Sequence, residues 1–356
     1  MSKRTVAILF GGVSSEYEVS LLSATSVIRN TPAEKYDIIM LGITKDGRWL
    51  RYCGPTELIA EDKWAEAQYV APAFISPDRS HHGLIVQGKG DNEVIRLDAV
   101  FPVLHGKNGE DGTIQGLFEI AGIPYVGCGP LSSAMCMDKA VTHTILSDAG
   151  IPQAKWETLW RGGYSFAKAE LSLAAKLNYP MFVKPANAGS SVGISKAHNP
   201  AELEAAISLA FGHDDKVVVE EFIDGFEIES AVLGNDEPFV SVLGEIVPCN
   251  EFYDYDAKYT NAATQLFIPA RISEEATSEV RTTAAKAYIA LGCSGLARID
   301  FFVKRDGSGI ILNEPNTIPG FTNISMYPKL MEASGVPYSK LIDKLFTLAI
   351  EKQAQQ

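Results

Sequence analysis

The sequence predicts an α/β (α+β) protein, with a doubly wound parallel-sheet domain at the N-terminus and hairpin-rich units after it. Three observations carry this. Residues 4–10 (R-T-V-A-I-L-F) form an unbroken apolar run, the pattern of a strand buried on both faces in a parallel sheet. A glycine turn at Gly11-Gly12 and a helical segment follow it, the opening of a doubly wound unit. Later, residues 180–197 and 296–317 each read as strand, turn, strand. At 356 residues the chain is too long for one core, so two or three domains are expected.

In chain order, Ser14-Ser15-Glu16 starts a helix to about Arg29, with hydroxyls able to cap it. G-G-V-S-S-E lacks the G-x-G-x-x-G of a dinucleotide fold. Glu16 and Glu18 both suit a helix N-terminus electrostatically, which accounts for Glu18. Residues 36–44 and 98–104 are strands, and the second ends in His105-Gly106. Ligands of open α/β sheets sit at such carboxyl ends, so His105 is either a site residue or a satisfied structural histidine. Residues 112–122 form a helix, 124–126 a short strand, and 130–150 one helix carrying Met137-Asp138-Lys139.

Residues 156–159 open a second unit. The strand 180–185 ends in Lys184, and the small-residue loop 186–193 (A-N-A-G-S-S-V-G) can lie over phosphates with its N–H groups as donors. Taken alone, such a loop is more often a plain flexible hairpin; the flanking Lys184-Pro185 and the later acid pair favour the phosphate role. Asn199 caps a helix to about Phe211, with Pro200 in its first turn. Residues 216–223 form a strand running into E-E-F-I-D-G-F-E, either a nucleotide hinge or a tight turn with solvated acids. Residues 238–246 are a strand, and the polar, aromatic stretch 249–264 has the length of a lid, with Lys258 and Tyr259 as its working members. Residues 265–272 are a strand, and Ser273 caps the helix 274–292. After the hairpin 296–317, residues 320–328 are a loop, and 329–333 and 338–352 are closing helices.

The hairpin concentrates the chemistry. Residues two apart on a strand share a face, so Arg298 and Asp300 on one strand can face Glu314 and Asn316 on the other. Two carboxylates and a carboxamide are hard oxygen donors suited to Mg²⁺, and substrate phosphates would complete the shell. Burying such charge beside I-I-L is costly unless a metal or substrate compensates. The net charge of −13, with no basic stripe, argues against nucleic acid as a partner. No apolar run reaches membrane-spanning length, and residues 1–4 lead straight into a strand without a signal peptide. The five cysteines are scattered with no C-x-x-C spacing, which fits reduced thiols in the cytoplasm.

With these pieces in place, the chain resembles the D-alanine–D-alanine ligases of the ATP-grasp superfamily over nearly its whole length. The resemblance rests on motifs in register: F-G-G-x-S-x-E-x-E-V-S (10–20), H-G-x-x-G-E-D-G (105–112), M-D-K (137–139), K-P-x-x-x-G-S-S-V-G (184–193), F-Y-D-Y-x-A-K-Y (252–259), A-R-I-D (297–300) and N-E-x-N-T-x-P-G-F-T (313–322). It implies a three-domain ATP-grasp architecture. Residues 1–138 would bind the first D-alanine, 139–230 would carry the phosphate loop and adenine hinge, and 231–356 the lid, metal site and second-substrate site.

By the same resemblance, Lys139, Lys184 and Lys258 contact phosphates of ATP, with Ser190 and Ser191 in the loop between them. Glu220, Glu221 and Ile223 meet adenine, and Glu227 the ribose. Asp300, Glu314 and Asn316 hold two Mg²⁺ (or Mn²⁺) ions, and K⁺ is a further candidate cation. Glu16 holds the first D-alanine's amine, beside His105. Ser190 and Tyr259 join Glu16 in a set that closes the lid. Arg298 and the Gly320 N–H stabilise an oxyanion, and Ser325 and Met326 meet the second substrate's carboxylate. A homodimer is implied. The implied chemistry is an acyl phosphate made from ATP and the first D-alanine, attacked by the second amine.

Two departures stand out. Tyr17 lies where many relatives have histidine or arginine. Pro315 replaces a branched apolar residue between two metal ligands, which suggests an edge or a local bend in that strand. The related rival is a ligase joining D-alanine to D-serine or D-lactate. Tyr259 argues against the depsipeptide-forming kind, and S-M-Y-P at 325–328 differs from the S-R-Y-P of the serine-forming kind. A non-catalytic ATP-binding protein would have lost Arg298 or a metal ligand, and neither is lost.

Overall fold

The computed structural model describes residues 2–247 and 264–354, so Lys258 and Tyr259 lie outside the described residues. The first sheet contains β1 (Arg4–Gly11), followed by α1 (Tyr17–Asn30), then β2 (Tyr36–Ile43), β3 (Trp49–Tyr52), α2 (Glu57–Ala60), β4 (Val70–Ile75), β5 (Gly83–Val86), β6 (Glu93–Arg96) and β7 (Ala99–Pro102). Its order is β6-β5-β4-β3-β2-β1-β7. Only β2, β1 and β7 run parallel; β3 to β6 add an antiparallel wing that the sequence reading omits. Alternate residues of β1 enter opposite cores. Val6, Ile8 and Phe10 pack with Leu21, Ala24 and Val27 of α1, while Ala7 and Leu9 join the cluster of Ile114 and Phe118 in α3 (Thr113–Ala121).

The expected strand 124–126 is an isolated bridge between Val100 and Tyr125. The expected single helix 130–150 is two, α4 (Pro130–Met137) and α5 (Lys139–Asp148). Asp138 breaks it: its backbone is extended (ψ 102°), and its carboxylate accepts the N–H groups of Ala140 and Val141. An aspartate competes for those donors better than an aliphatic residue could, so it starts a new helix instead of continuing the old one.

The second sheet is antiparallel, in the order β10-β9-β11-β8. It comprises β8 (Trp156–Trp160), β9 (Met181–Pro185), β10 (Ser195–Ala197) and β11 (Lys216–Glu221), covered by α6 (Phe166–Lys176) and α7 (Pro200–Phe211). Asn199 accepts the Glu202 N–H and caps α7 as expected.

The third sheet, β14-β13-β12-β15-β16, contains β12 (Gly225–Gly234), β13 (Phe239–Val247), β14 (Gln265–Phe267), β15 (Gly295–Lys304) and β16 (Ile310–Asn316). β14 ends before the expected 272, because Pro269 has no N–H for the ladder. Ser273 caps α8 (Glu274–Ala290) by accepting the Ala276 N–H. The expected loop 320–328 already turns into α9 (Met326–Ala333) at Met326; Pro328 falls in the first turn, where its missing donor costs nothing. α10 (Tyr338–Ala354) crosses back to the first sheet, burying Leu341, Leu345 and Phe346 in the core with Phe101.

Candidate active site

The β15–β16 hairpin brings its four expected residues together. Asp300 lies directly across from Glu314, and Arg298 from Asn316. A bulge follows Asp300, because Phe301 pairs with Leu312 and leaves Asn313 as the extra residue. β16 is the sheet edge, so Pro315 removes no needed ladder donor, and the departure is accommodated. Arg298 donates Nε and Nη2 to the two oxygens of Asp300, both at 2.8 Å, and Nε lies 3.1 Å from Glu229. Asn316 donates Nδ2 to Asp300 at 2.9 Å. Burial opposes the Arg298 charge, but Asp300 and Glu229 outweigh it and hold its proton more tightly than usual. The oxygen donors Asp300, Glu314 and Asn316 share one face, a set that fits a hard divalent cation completed by substrate oxygens.

A cavity of about 500 Å³ lies between the second and third sheets, lined by Lys184, Glu220, Glu221, Ile223, Glu227, Asp300 and Glu314. Lys184 on β9 and Glu220 on β11 form an ion pair at 2.7 Å, and Lys184 reaches Asn313 at 3.5 Å. Glu220 also bonds His143 Nε2 at 3.0 Å; that ring stacks on Trp156 and bonds Gln153 through Nδ1. Burial opposes the Glu220 charge, but the Lys184 ammonium and His143 outweigh it and hold the carboxyl well below the usual range. Lys184 is likewise desolvated, yet Glu220 and Glu314 keep its ammonium more tightly protonated. Glu221 accepts the Lys155 N–H at 2.9 Å, which pins the strand end where the cavity opens.

The small-residue loop closes one end. Ser190 and Ser191 both adopt left-handed backbone (φ 49° and 60°), an uncommon choice for non-glycine residues. Lys139 donates to the Ala188 carbonyl at 2.8 Å, and Ser190 donates its hydroxyl to Glu16. A Cβ at Gly189 would lie 2.9 Å from the Glu16 carboxylate, so a larger residue there would push that carboxylate aside.

A second cavity, of about 350 Å³, is lined by Glu16, His105, Glu110, Arg298, Gly320, Ser325 and Met326. Glu16 sits at the N-terminus of α1. The N-cap position is Glu16, with no side-chain cap bond; the Ser14 hydroxyl accepts the Glu16 N–H and donates to the His105 carbonyl. His105 is buried, with Nδ1 3.1 Å from the Ile318 carbonyl and Nε2 3.0 Å from the Ser23 hydroxyl. Burial lowers its pKa despite the nearby Glu16, so the ring is neutral. Burial and the Glu16 carboxylate together push Glu110 up to about 8.

Models of two protein families match the chain: D-ala D-ala ligase N-terminus over residues 5–128, and D-ala D-ala ligase C-terminus over residues 145–347. The chain belongs to the D-alanine–D-alanine ligase family. A D-alanine--D-alanine ligase of Caldicellulosiruptor bescii is 52% identical, covering 100% of this chain and 98% of its own. One of Acetivibrio thermocellus is 49% identical over 98% and 96%. Among solved structures, the VanG D-Ala:D-Ser ligase from Enterococcus faecalis superposes with a TM-score of 0.90 at 47% identity, covering 98% of this chain and 100% of that one. The D-alanine-D-alanine ligase from Coxiella burnetii gives 0.89 at 36% identity, over 100% and 96%.

Within this ligase family member, Tyr17 has a structural role. Its ring is buried, its hydroxyl donates to Asp62 at 2.7 Å, and it accepts the Trp64 indole N–H at 3.0 Å. Sequence reasoning missed Glu229, Glu110, Ser23 and His143. Glu229 is two residues after Glu227 on β12, a period-two signal that was legible. Glu110 lies within the H-G-x-x-G-E-D-G motif, although nothing in the spacing states its partner. Among the described residues no helix is long and apolar enough to cross a membrane.

Proposed function

We propose that the protein joins two D-alanine molecules into D-alanyl-D-alanine with cleavage of ATP to ADP, for peptidoglycan precursor synthesis. One observation carries the reading: Ser191, Arg298 and Glu314 line both cavities. A phosphoryl group leaving a nucleotide in one is therefore met at the wall of the other. The names of the relatives support D-alanine as the substrate.

On this reading ATP lies in the larger cavity. Glu220, Glu221 and Ile223 meet adenine, and Glu227 the ribose. Lys139, Lys184 and Lys258, with the backbone of the Ser190–Ser191 loop, meet the phosphates. Asp300, Glu314 and Asn316 would hold two Mg²⁺ or Mn²⁺ ions. When bound, such ions neutralise phosphoryl oxygens and withdraw charge from the group in transfer. K⁺ is a further activating cation. The units 1–138, 139–230 and 231–356 divide the labour between first substrate, nucleotide, and second substrate with metals. The protein works as a cytoplasmic homodimer.

Glu16 holds the first D-alanine's ammonium, leaving its carboxylate to attack the γ-phosphorus. A C–O–P bond forms and ADP departs, so oxide is no longer the leaving group. Ser325 and Met326, at the start of α9, receive the second D-alanine's carboxylate. Its amine, as the free base, attacks the acyl carbonyl, and the proton it sheds on C–N bond formation departs with the phosphate. Arg298, oriented through Asp300, and the Gly320 N–H hold the oxyanion until phosphate leaves. Closure of the 249–264 segment with Tyr259 keeps water from the acyl phosphate.

A second reading, D-alanine–D-serine ligation, is favoured by the similarity to the VanG enzyme. A competition assay with ATP, Mg²⁺, D-alanine and equal D-serine, read by mass spectrometry, separates the two. D-alanyl-D-alanine as the main product supports the first reading. D-alanyl-D-serine supports the second, and ADP release without dipeptide overturns both.

A further inference from the structure

We infer that Ser23, His105 and Glu110 form a clamp that positions the Gly320 N–H for the second half of the reaction. This rests on the ligase reading, which places His105 beside the first D-alanine but gives no role to Ser23 or Glu110. The clamp grips the backbone on both sides of Gly320. Before it, Ile318 donates its N–H to Glu110 Oε2 at 3.2 Å, and its carbonyl accepts from His105 Nδ1 at 3.1 Å. After it, Phe321 donates its N–H to the Ser23 hydroxyl at 3.2 Å. Ser23 in turn meets His105 Nε2 at 3.0 Å, and Glu110 Oε1 accepts the Gly106 N–H at 3.0 Å.

The proton directions around His105 and Ser23 follow from their partners. A carbonyl can only accept, so Nδ1 carries the hydrogen. In a neutral ring Nε2 then accepts from Ser23, which frees the Ser23 oxygen to accept from Phe321. The lowered basicity of buried His105 agrees with that tautomer. All three side chains come from the first sheet's surroundings, whereas Gly320 follows the third sheet's last strand. Gly320 also lies close to Ser325, since a Cβ built on it would sit 2.8 Å from Ser325 Oγ. The element that carries Glu16 thus also sets the register of the oxyanion donor. These are positioning residues, because their bonds end on backbone and on each other.

The test uses the full-length protein with Ser23→Ala, Ser23→Thr and Glu110→Gln, each measured for dipeptide and ADP formation. Removing an oxyanion donor outright costs roughly 10²–10³ in kcat, so misplacing one should cost about 10-fold or more. The expected result is that fall in Ser23→Ala and Glu110→Gln, with KM for ATP and the first D-alanine within about twofold. Ser23→Thr, which keeps the hydroxyl, should restore most of the rate. Glu110→Gln keeps the shape but loses one of two acceptors, so it tests the clamp even if Ser23→Ala folds poorly. Unchanged kcat in both loss variants would overturn the clamp alone, as would equal changes in kcat and every KM. Wild-type protein that releases no dipeptide would overturn the ligase reading and the clamp with it.

Discussion

Lys184 and Glu220 stand 2.7 Å apart on neighbouring strands of the second sheet, both almost wholly removed from solvent. Neither charge could stay buried alone, and His143 supplies Glu220 with a further partner. Removing one member of such a pair typically costs about 3–5 kcal/mol. Glu220→Gln should therefore lower stability by about that much and raise the KM for ATP. Chemical denaturation followed by fluorescence, with and without nucleotide, measures both.

The same pair predicts a pH dependence. The Glu220 pKa lies below the ordinary glutamate value of 4.5. Its contribution to stability is thus fully present above pH 4.5 and is lost as the pH falls from there through the folded-state value. The urea midpoint of the wild type should drop more steeply below about pH 4.5, down to pH 2.5, than that of Glu220→Gln. Parallel curves for the two proteins would refute the assignment.

Arg298 sits on a face shared by both cavities, held by Asp300 and Glu229. Arg298→Ala should reduce dipeptide formation by at least about 10²-fold while nucleotide affinity changes only a few-fold. Calorimetric titration with a non-hydrolysable ATP analogue, beside a product assay, checks the split. Retained ligation would remove Arg298 from the oxyanion role.

Asp300→Asn keeps the shape of the hairpin and removes one anionic oxygen donor. It should raise the Mg²⁺ concentration needed for half-maximal rate by about 10-fold or more. A metal titration of ADP release tests this, and an unchanged midpoint would assign the metal elsewhere.

Ser190 ties the 186–193 loop to Glu16 by one hydrogen bond. Ser190→Ala should raise the KM for the first D-alanine and leave protein stability within about 0.5–1.5 kcal/mol of wild type. A KM shift confined to ATP would mean that the serine serves the nucleotide alone.

Several site features were legible because they depend on local spacing. The period-two pattern of β15 and β16 put Arg298, Asp300, Glu314 and Asn316 on one face, and the register agrees. Asn199 and Ser273 read as caps because capping needs only a side-chain oxygen next to a free N–H. The break at Asp138 and the start of α9 at Met326 were missed. Both depend on competition among hydrogen-bond acceptors that helical periodicity does not register. The antiparallel wing was missed because strands as short as four residues give little pattern.

Local sequence was enough for the fold class, the oxygen-donor hairpin, the small-residue loop and the family resemblance, because each is written in short stretches of chain. Tertiary structure alone decided the long-range pairings. It set Glu220 against Lys184 and His143, leaned Glu16 on Ser190, and ran His105 and Glu110 to the backbone of Ile318. Such contacts join residues 36 to 213 positions apart. They form because a buried polar group must find a partner, and which partner lies within reach is set by how the three sheets pack.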